Sequence, residues 1–189
     1  MKPKTAWMVN VAWTGIFLDQ WTKHLARKLG PREQVDVIPG WLAFIHAKNP
    51  GAAFSMLADS PYRLPIFAVF TIATVTGLVL AWRAAEDDDR WTGIAIGLFL
   101  TGAVGNAIDR ATFGYVTDFV KVYAGSGAVK DWAVAQFGTN VYPIWNVADA
   151  GIVVGVPLYV LATVFKKDHP QAAEPPEHDT RDPLGADGS

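Results

Sequence analysis

The stretch from Leu64 to Trp82 holds 19 residues without a single charged side chain, and Trp91 to Ile108 holds 18 more. Each has the length an α-helix needs to cross a hydrocarbon core roughly 30 Å thick. No other feature constrains the fold as strongly, because a chain in lipid must satisfy its backbone polar groups within its own helices or a closed barrel. Ala150 to Phe165 is also uncharged, and it reaches spanning length if its helix begins at Asn146. The N-terminal stretch is uncharged only from Thr5 to Leu18, and it spans only if its helix runs on through Asp19 and Lys23 to about Leu29. The expectation is a helical membrane protein with four spans, near residues 6–29, 64–82, 91–109 and 146–165. They form one domain, residues 1–167, with both termini on the same side.

Composition agrees with that reading. Hydrophobic residues make up 51% of the 189 and charged residues only 18%. The net charge of -2 gives no reason to expect nucleic acid as a partner. Cysteine is absent, which excludes disulfides, thiolate metal sites and a cysteine nucleophile. Lys2 and Lys4 before an apolar run resemble a secretion signal, but no small-x-small site follows, so the segment is read as an uncleaved anchor. Gly93 with Gly97, and Gly151 with Gly155, are small-xxx-small pairs suited to close helix packing. In Gln34 to Phe54, apolar runs broken by Pro39-Gly40 predict a small strand-rich element on the membrane surface. Asp168 to Ser189, rich in proline and acids, is expected to be a disordered tail.

Up-down connectivity places the polar residues. Asp19 and Lys23 fall at the end of span one and Asn49 lies before span two. Asn106, Asp109 and Arg110 close span three, and Asn146 and Asp149 open span four. All gather on one membrane face, where charged groups near lipid usually turn inward or line a watery cavity. Lysine and arginine divide almost evenly between the two sides, so charge alone orients the chain weakly. The dense short flanks Lys2/Lys4, Arg83/Arg90 and Lys166/Lys167 favour the opposite face as cytoplasmic.

Each motif also has a plain reading. Asp19 and Lys23, at i and i+4, make a helix-stabilising ion pair. Asn49-Pro50-Gly51 makes a turn. Asn106, Asp109 and Arg110 make a helix-end network. Asp118, in an alternating Val116-Thr117-Asp118-Phe119-Val120 run, is a solvated acid on a short extended segment. Asn146 and Asp149 cap a helix N-terminus. Other chemistries lack their signatures: H-E-x-x-H and G-x-S-x-G are absent. Ser126 and Lys130, in a Gly-rich loop, are a poor Ser-Lys pair.

Taken in order, Asp19-Gln20…Lys23, Asn49-x-Gly51-Ala52-Ala53-Phe54, Gly105-Asn106-x-x-Asp109-Arg110, Asp118-Phe119 and Asn146-x-Ala148-Asp149 resemble the lipoprotein signal peptidases (signal peptidase II), over about Asp19 to Phe165. The resemblance implies a four-helix bundle with an extracytoplasmic β-cradle and a loop helix, in the bacterial cytoplasmic (inner) membrane with both termini cytoplasmic. It implies an aspartic endopeptidase that cuts diacylglyceryl-modified prolipoproteins before the lipidated cysteine. Asp118 and Asp149 match the catalytic pair. Asp19, Lys23, Asn49, Gly51, Asn106, Asp109, Arg110 and Asn146 match supporting positions. No metal or cofactor is expected; the partners are the prolipoprotein and membrane lipid, and the chain is expected to act as a monomer. Two features depart from the family pattern. The segment Ala124 to Asn140 lengthens the loop between the two acids, as a lid helix or a membrane-surface anchor. Pro50 and Trp145 also stand where Thr and Phe are common. Two rivals stand beside this reading: a small proton-coupled transporter, which predicts polar residues at mid-membrane, and an inactive lipoprotein-binding homologue.

Overall fold

A computed structural model describes residues 1–51 and 60–166. The expected tail, and the Ala52-Ala53-Phe54 part of the second motif, lie outside the described residues. Among the described residues the elements follow in the order α1 (Pro3–Ala26), β1 (Gln34–Ile38), β2 (Leu42–Asn49), α2 (Arg63–Ala84), α3 (Arg90–Phe113), β3 (Val116–Val122), α4 (Gly127–Phe137) and α5 (Val147–Lys166). Among the described residues, α2, α3 and α5 are long and apolar enough to cross a membrane. The N-terminal segment does run unbroken through Asp19 and Lys23, for 24 residues in all.

α3 is the central helix, packing against α1, α2 and α5. Its small residues make this possible. A β-carbon at Gly97 would meet the Met8 carbonyl oxygen at 2.8 Å, and one at Gly151 would meet the Leu98 carbonyl oxygen at 2.7 Å. Helices without a hydrophobic drive to associate in lipid gain instead from such close backbone approach. By contrast α2 buries no residue and presents Val69, Phe70, Ile72 and Leu80 outward. A helix that is apolar on all sides suits a lipid surround. Asp89 caps α3 by accepting from Thr92 N at 3.0 Å, and Gly114, at φ 77°, closes it in the left-handed conformation.

The strands form one antiparallel sheet in the order β1-β2-β3, with Pro39 and Gly40 at the first turn. Phe119 and Val120 of β3 pack with Ala26, Leu42, Trp145 and Val147, which fixes the sheet to the ends of α1 and α5. The register between β2 and β3 shifts between Phe44, paired with Val120, and Ala47, paired with Asp118. One extra residue on β2 reverses the parity of every residue after it. Asn49 thereby comes to the Asp118 face of the sheet; without the bulge it would lie on the opposite face.

Candidate active site

α5 begins the site. Asn146 precedes the helix, and its Oδ1 accepts from Asp149 N at 3.0 Å. Asp149 Oδ2 in turn accepts from Asn146 N at 3.2 Å. This reciprocal cap satisfies helix-end donors that would otherwise be orphaned. A third donor, Ala148 N, is met from another helix: it donates to Asp19 Oδ1 of α1 at 2.8 Å. The plain capping reading of Asp149 is therefore correct, and it leaves Asp149 Oδ1 free to accept from Asn106 Nδ2 at 2.9 Å.

The amide of Asn106 is fixed from behind. Its Oδ1 accepts from Lys23 Nζ at 2.9 Å and from Asn146 Nδ2 at 3.3 Å, so its NH2 must face Asp149. Asn146 Nδ2 also donates to Asp118 Oδ1 at 2.7 Å, while Asn49 Nδ2 donates to Asp118 Oδ2 at 2.9 Å. Two adjacent amides, Asn106 and Asn146, thus tie Asp118 and Asp149 into one network. Asp118 is only 3% exposed, not the solvated loop acid of the plain reading. Burial, with the nearby charge of Asp149 adding to it, pushes the Asp118 carboxyl up from the ordinary 3.8 to about 6, against the opposing hydrogen bonds of Asn49 and Asn146.

Beneath the amides lies a buried ionic layer. Lys23 Nζ is 2.9 Å from Asp19 Oδ2 and 3.4 Å from Asp109 Oδ2, and all three side chains are 0% exposed. Asp19 therefore faces the protein and not a substrate cleft. Asp109 Oδ2 accepts from Thr117 N at 2.8 Å, anchoring the strand that carries Asp118. Arg110 Nη2 donates to Gly51 O at 3.2 Å, and its guanidinium lies over the Phe67 ring, 4.2 Å from the centroid. Its Nε is buried without a hydrogen-bond partner among the described residues. Gly51 N closes the turn by donating to Asn49 Oδ1 at 3.1 Å.

All ten residues singled out in the sequence come together here. Three contributors were not singled out. Arg27 donates to Thr117 Oγ1 at 3.1 Å and approaches Asp109 Oδ1 at 3.5 Å. Its position four residues after Lys23, on the same helix face, was an available signal. Gln20, noticed only as a motif letter, bridges Asp19 Oδ2 and the Gly105 carbonyl. Thr117 carried no signal of its own.

Gly105 is where α1, α3 and α5 meet. A β-carbon there would lie 2.6 Å from Asp19 Oδ2 and 3.2 Å from Ala148 Cβ. Gly105→Ala is expected to lose about 1–3 kcal/mol of stability as the layer is pushed apart, read as a lowered unfolding midpoint in detergent. A second expectation concerns Asp118. Asp149→Asn removes one of the influences raising its pKa, so its infrared carboxyl titration should move below pH 6. The raised pKa also makes Asp118 destabilising as pH rises. The strained ionised form costs nothing below the unfolded value near 3.8, and the cost grows up to about pH 6 and is complete above it.

Apolar helices, a small sheet fixed to their ends and two acids held in one amide network define a class: a membrane protein with a buried polar site at one end of its helices. The chain belongs to the signal peptidase II family, whose model, described as "Signal peptidase (SPase) II", matches residues 11–165. It is 36% identical to the lipoprotein signal peptidase of Geobacter metallireducens over 162 residues, covering 85% of this chain and 92% of that one. It is 36% identical to that of Geobacter sulfurreducens, covering 84% and 91%. A solved bacterial membrane enzyme superposes with a TM-score of 0.70 at 26% identity, covering 85% of this chain and 89% of that one. A second gives 0.67 at 28% identity, covering 86% and 94%.

Proposed function

We propose that this peptidase removes the signal peptide from diacylglyceryl-modified prolipoproteins, cutting before the lipidated cysteine, with Asp118 and Asp149 as the catalytic pair. The observation that carries the reading is the amide bridge. Asn146 reaches Asp118 at 2.7 Å, Asn106 reaches Asp149 at 2.9 Å, and the two amides touch at 3.3 Å. Two acids held so close in a low-dielectric site resist double ionisation, so one proton is shared over the pair. The ionised member takes a proton from a water whose oxygen attacks the scissile carbonyl carbon. The protonated member donates a hydrogen bond to the carbonyl oxygen. As the tetrahedral intermediate collapses, the C–N bond breaks and the proton passes to the cysteine nitrogen. The proton moves between the two acids during the cycle, so neither is given one role throughout.

Asn49 and Asn146 hold Asp118, and Asn106 holds Asp149. Lys23, Asp19 and Asp109 keep those amides in place, and Arg110 Nε, which has no hydrogen-bond partner among the described residues, offers a donor for a substrate carbonyl. α1 completes a four-helix bundle as the fourth span, with both termini cytoplasmic and the site at the extracytoplasmic face of the bacterial inner membrane. The chain acts as a monomer, and the acyl chains lie against the apolar helix faces. A proton-coupled transporter would carry its polar groups at mid-membrane; here they collect at one end, and the family membership stands against it.

The test is mass spectrometry of products from a diacylglyceryl-modified prolipoprotein peptide and its unlipidated twin, in bilayers. Cleavage immediately before the lipidated cysteine, with the twin left intact, is expected. Equal cleavage of both, or a cut elsewhere, overturns the reading.

A further inference from the structure

The mechanism leaves α4 unused. Its stem is well fixed: Ala124 N donates to Asn140 O at 2.9 Å, Asn140 Nδ2 returns to Ala124 O at 2.9 Å, and Tyr142 N donates to Val122 O at 2.9 Å. The helix itself is different. None of its residues is buried, and among the described residues no other helix or strand packs extensively along it. Trp132 is 59% exposed and Phe137 68% exposed, and their rings meet edge to face at 5.6 Å. Beside the stem lies the β1–β2 turn, where Gly125 N donates to Gly40 O at 2.8 Å and Tyr123 N donates to Trp41 O at 2.9 Å. That turn exposes Ile38 and Trp41, and Tyr142 is exposed at the other side of the stem.

We infer that this rim, chiefly Trp41, Trp132, Phe137 and Tyr142, is a foot that rests in the bilayer interface. The occupant follows from three observations. The same chain has apolar spanning-length helices that place a bilayer at the level of their ends, and β3 is fixed to those ends through Asp109 and Trp145. The residues are aromatic and mixed in polarity, the type that settles where headgroups meet acyl chains. α4 carries one cation and one anion, Lys130 and Asp131, so nothing in it favours a charged protein partner. A water-facing surface gains nothing from such a rim, and apolar patches of this kind mark contact sites. The foot would hold the far end of β3 at a set depth, and with it the height of Asp118 four residues before Val122. The inference rests on the membrane placement of the chain and not on its peptidase chemistry.

The absence of native cysteine makes the test direct. Single cysteines at Ala128, Val129, Ala133 and Ala135 are spin-labelled in the full-length protein in lipid nanodiscs, and their accessibility to oxygen and to a water-soluble nickel chelate is compared. Labels flanking Trp132 and Phe137 are expected to favour oxygen, with immersion depths at the interface. In a Trp132→Ser, Phe137→Ser background they should become water-exposed while thermal unfolding is unchanged. Three results overturn the inference. They are labels that report water throughout the wild-type rim, labels shielded from both reagents as under a lid closed on the protein, and dipolar broadening between copies.

Discussion

Lys23→Met is expected to cost about 3–5 kcal/mol of stability. The ammonium sits between Asp19 and Asp109, 2.9 and 3.4 Å away, with no solvent exposure on any of the three. Removing it leaves two buried carboxylates that keep their neutral hydrogen-bond donors but, among the described residues, have one distant cation, Arg27, at 3.5 Å from Asp109. Unfolding in detergent should show the loss as a midpoint shifted far below the wild type. Adding Asp19→Asn should restore much of it, because a neutral amide oxygen still accepts from Ala148 N and no longer needs a cation. Activity should stay low in the double variant. Without Lys23, only the longer contact from Asn146 Nδ2, at 3.3 Å, holds Asn106 with its NH2 aimed at Asp149. Stability that returns together with full activity would mean that the ionic layer holds the fold and does not orient the acids.

The second large effect is on chemistry. Asp118→Asn and Asp149→Asn should each lower cleavage at least about 10³-fold, the scale on which acid–base groups contribute. Asparagine matches aspartate in shape, so the fold should persist. The substitutions are not equivalent in their surroundings. Asp118 accepts from two amide NH2 groups, and asparagine can accept from only one through its oxygen. Its own NH2 then meets Asn49, whose amide must turn and release Gly51 N. Asp118→Asn should therefore lower the unfolding temperature modestly, offset in part above pH 6 by loss of the buried charge. At Asp149 the new NH2 meets either Asn106 Nδ2 or the Asn146 backbone N–H, which loosens the α5 cap.

Much of this was legible in the sequence because lipid imposes composition directly. The uncharged stretches at 64–82 and 91–108 correspond to α2 and α3, each extended by a short flank. The break at Pro39-Gly40 marks the β1–β2 turn, and the alternation around Asp118 marks β3. The polar motifs were visible as residue types gathered at one end. Their connections were not. Which face of the sheet Asn49 takes depends on a one-residue bulge between Phe44 and Ala47, and no residue type announces it. That Asp19 caps α5 depends on the packing of three helices around Gly105. Arg27 has no motif of its own in the sequence, although its spacing from Lys23 puts it on the same face of the α1 end, toward Asp109. The plain readings of Asp19 with Lys23 as an ion pair, and of Asn146 with Asp149 as a cap, describe real contacts, and those same contacts hold the proposed catalytic acids in position.

The most direct test is single-turnover cleavage of a diacylglyceryl-modified prolipoprotein peptide in bilayers by the wild type, Asp118→Asn and Asp149→Asn, with unfolding measured on the same samples. The account predicts rapid cleavage by the wild type and at least about 10³-fold slower cleavage by both folded variants. Cleavage by either variant within about tenfold of the wild type would contradict it, because a shared-proton pair cannot work with one acid replaced.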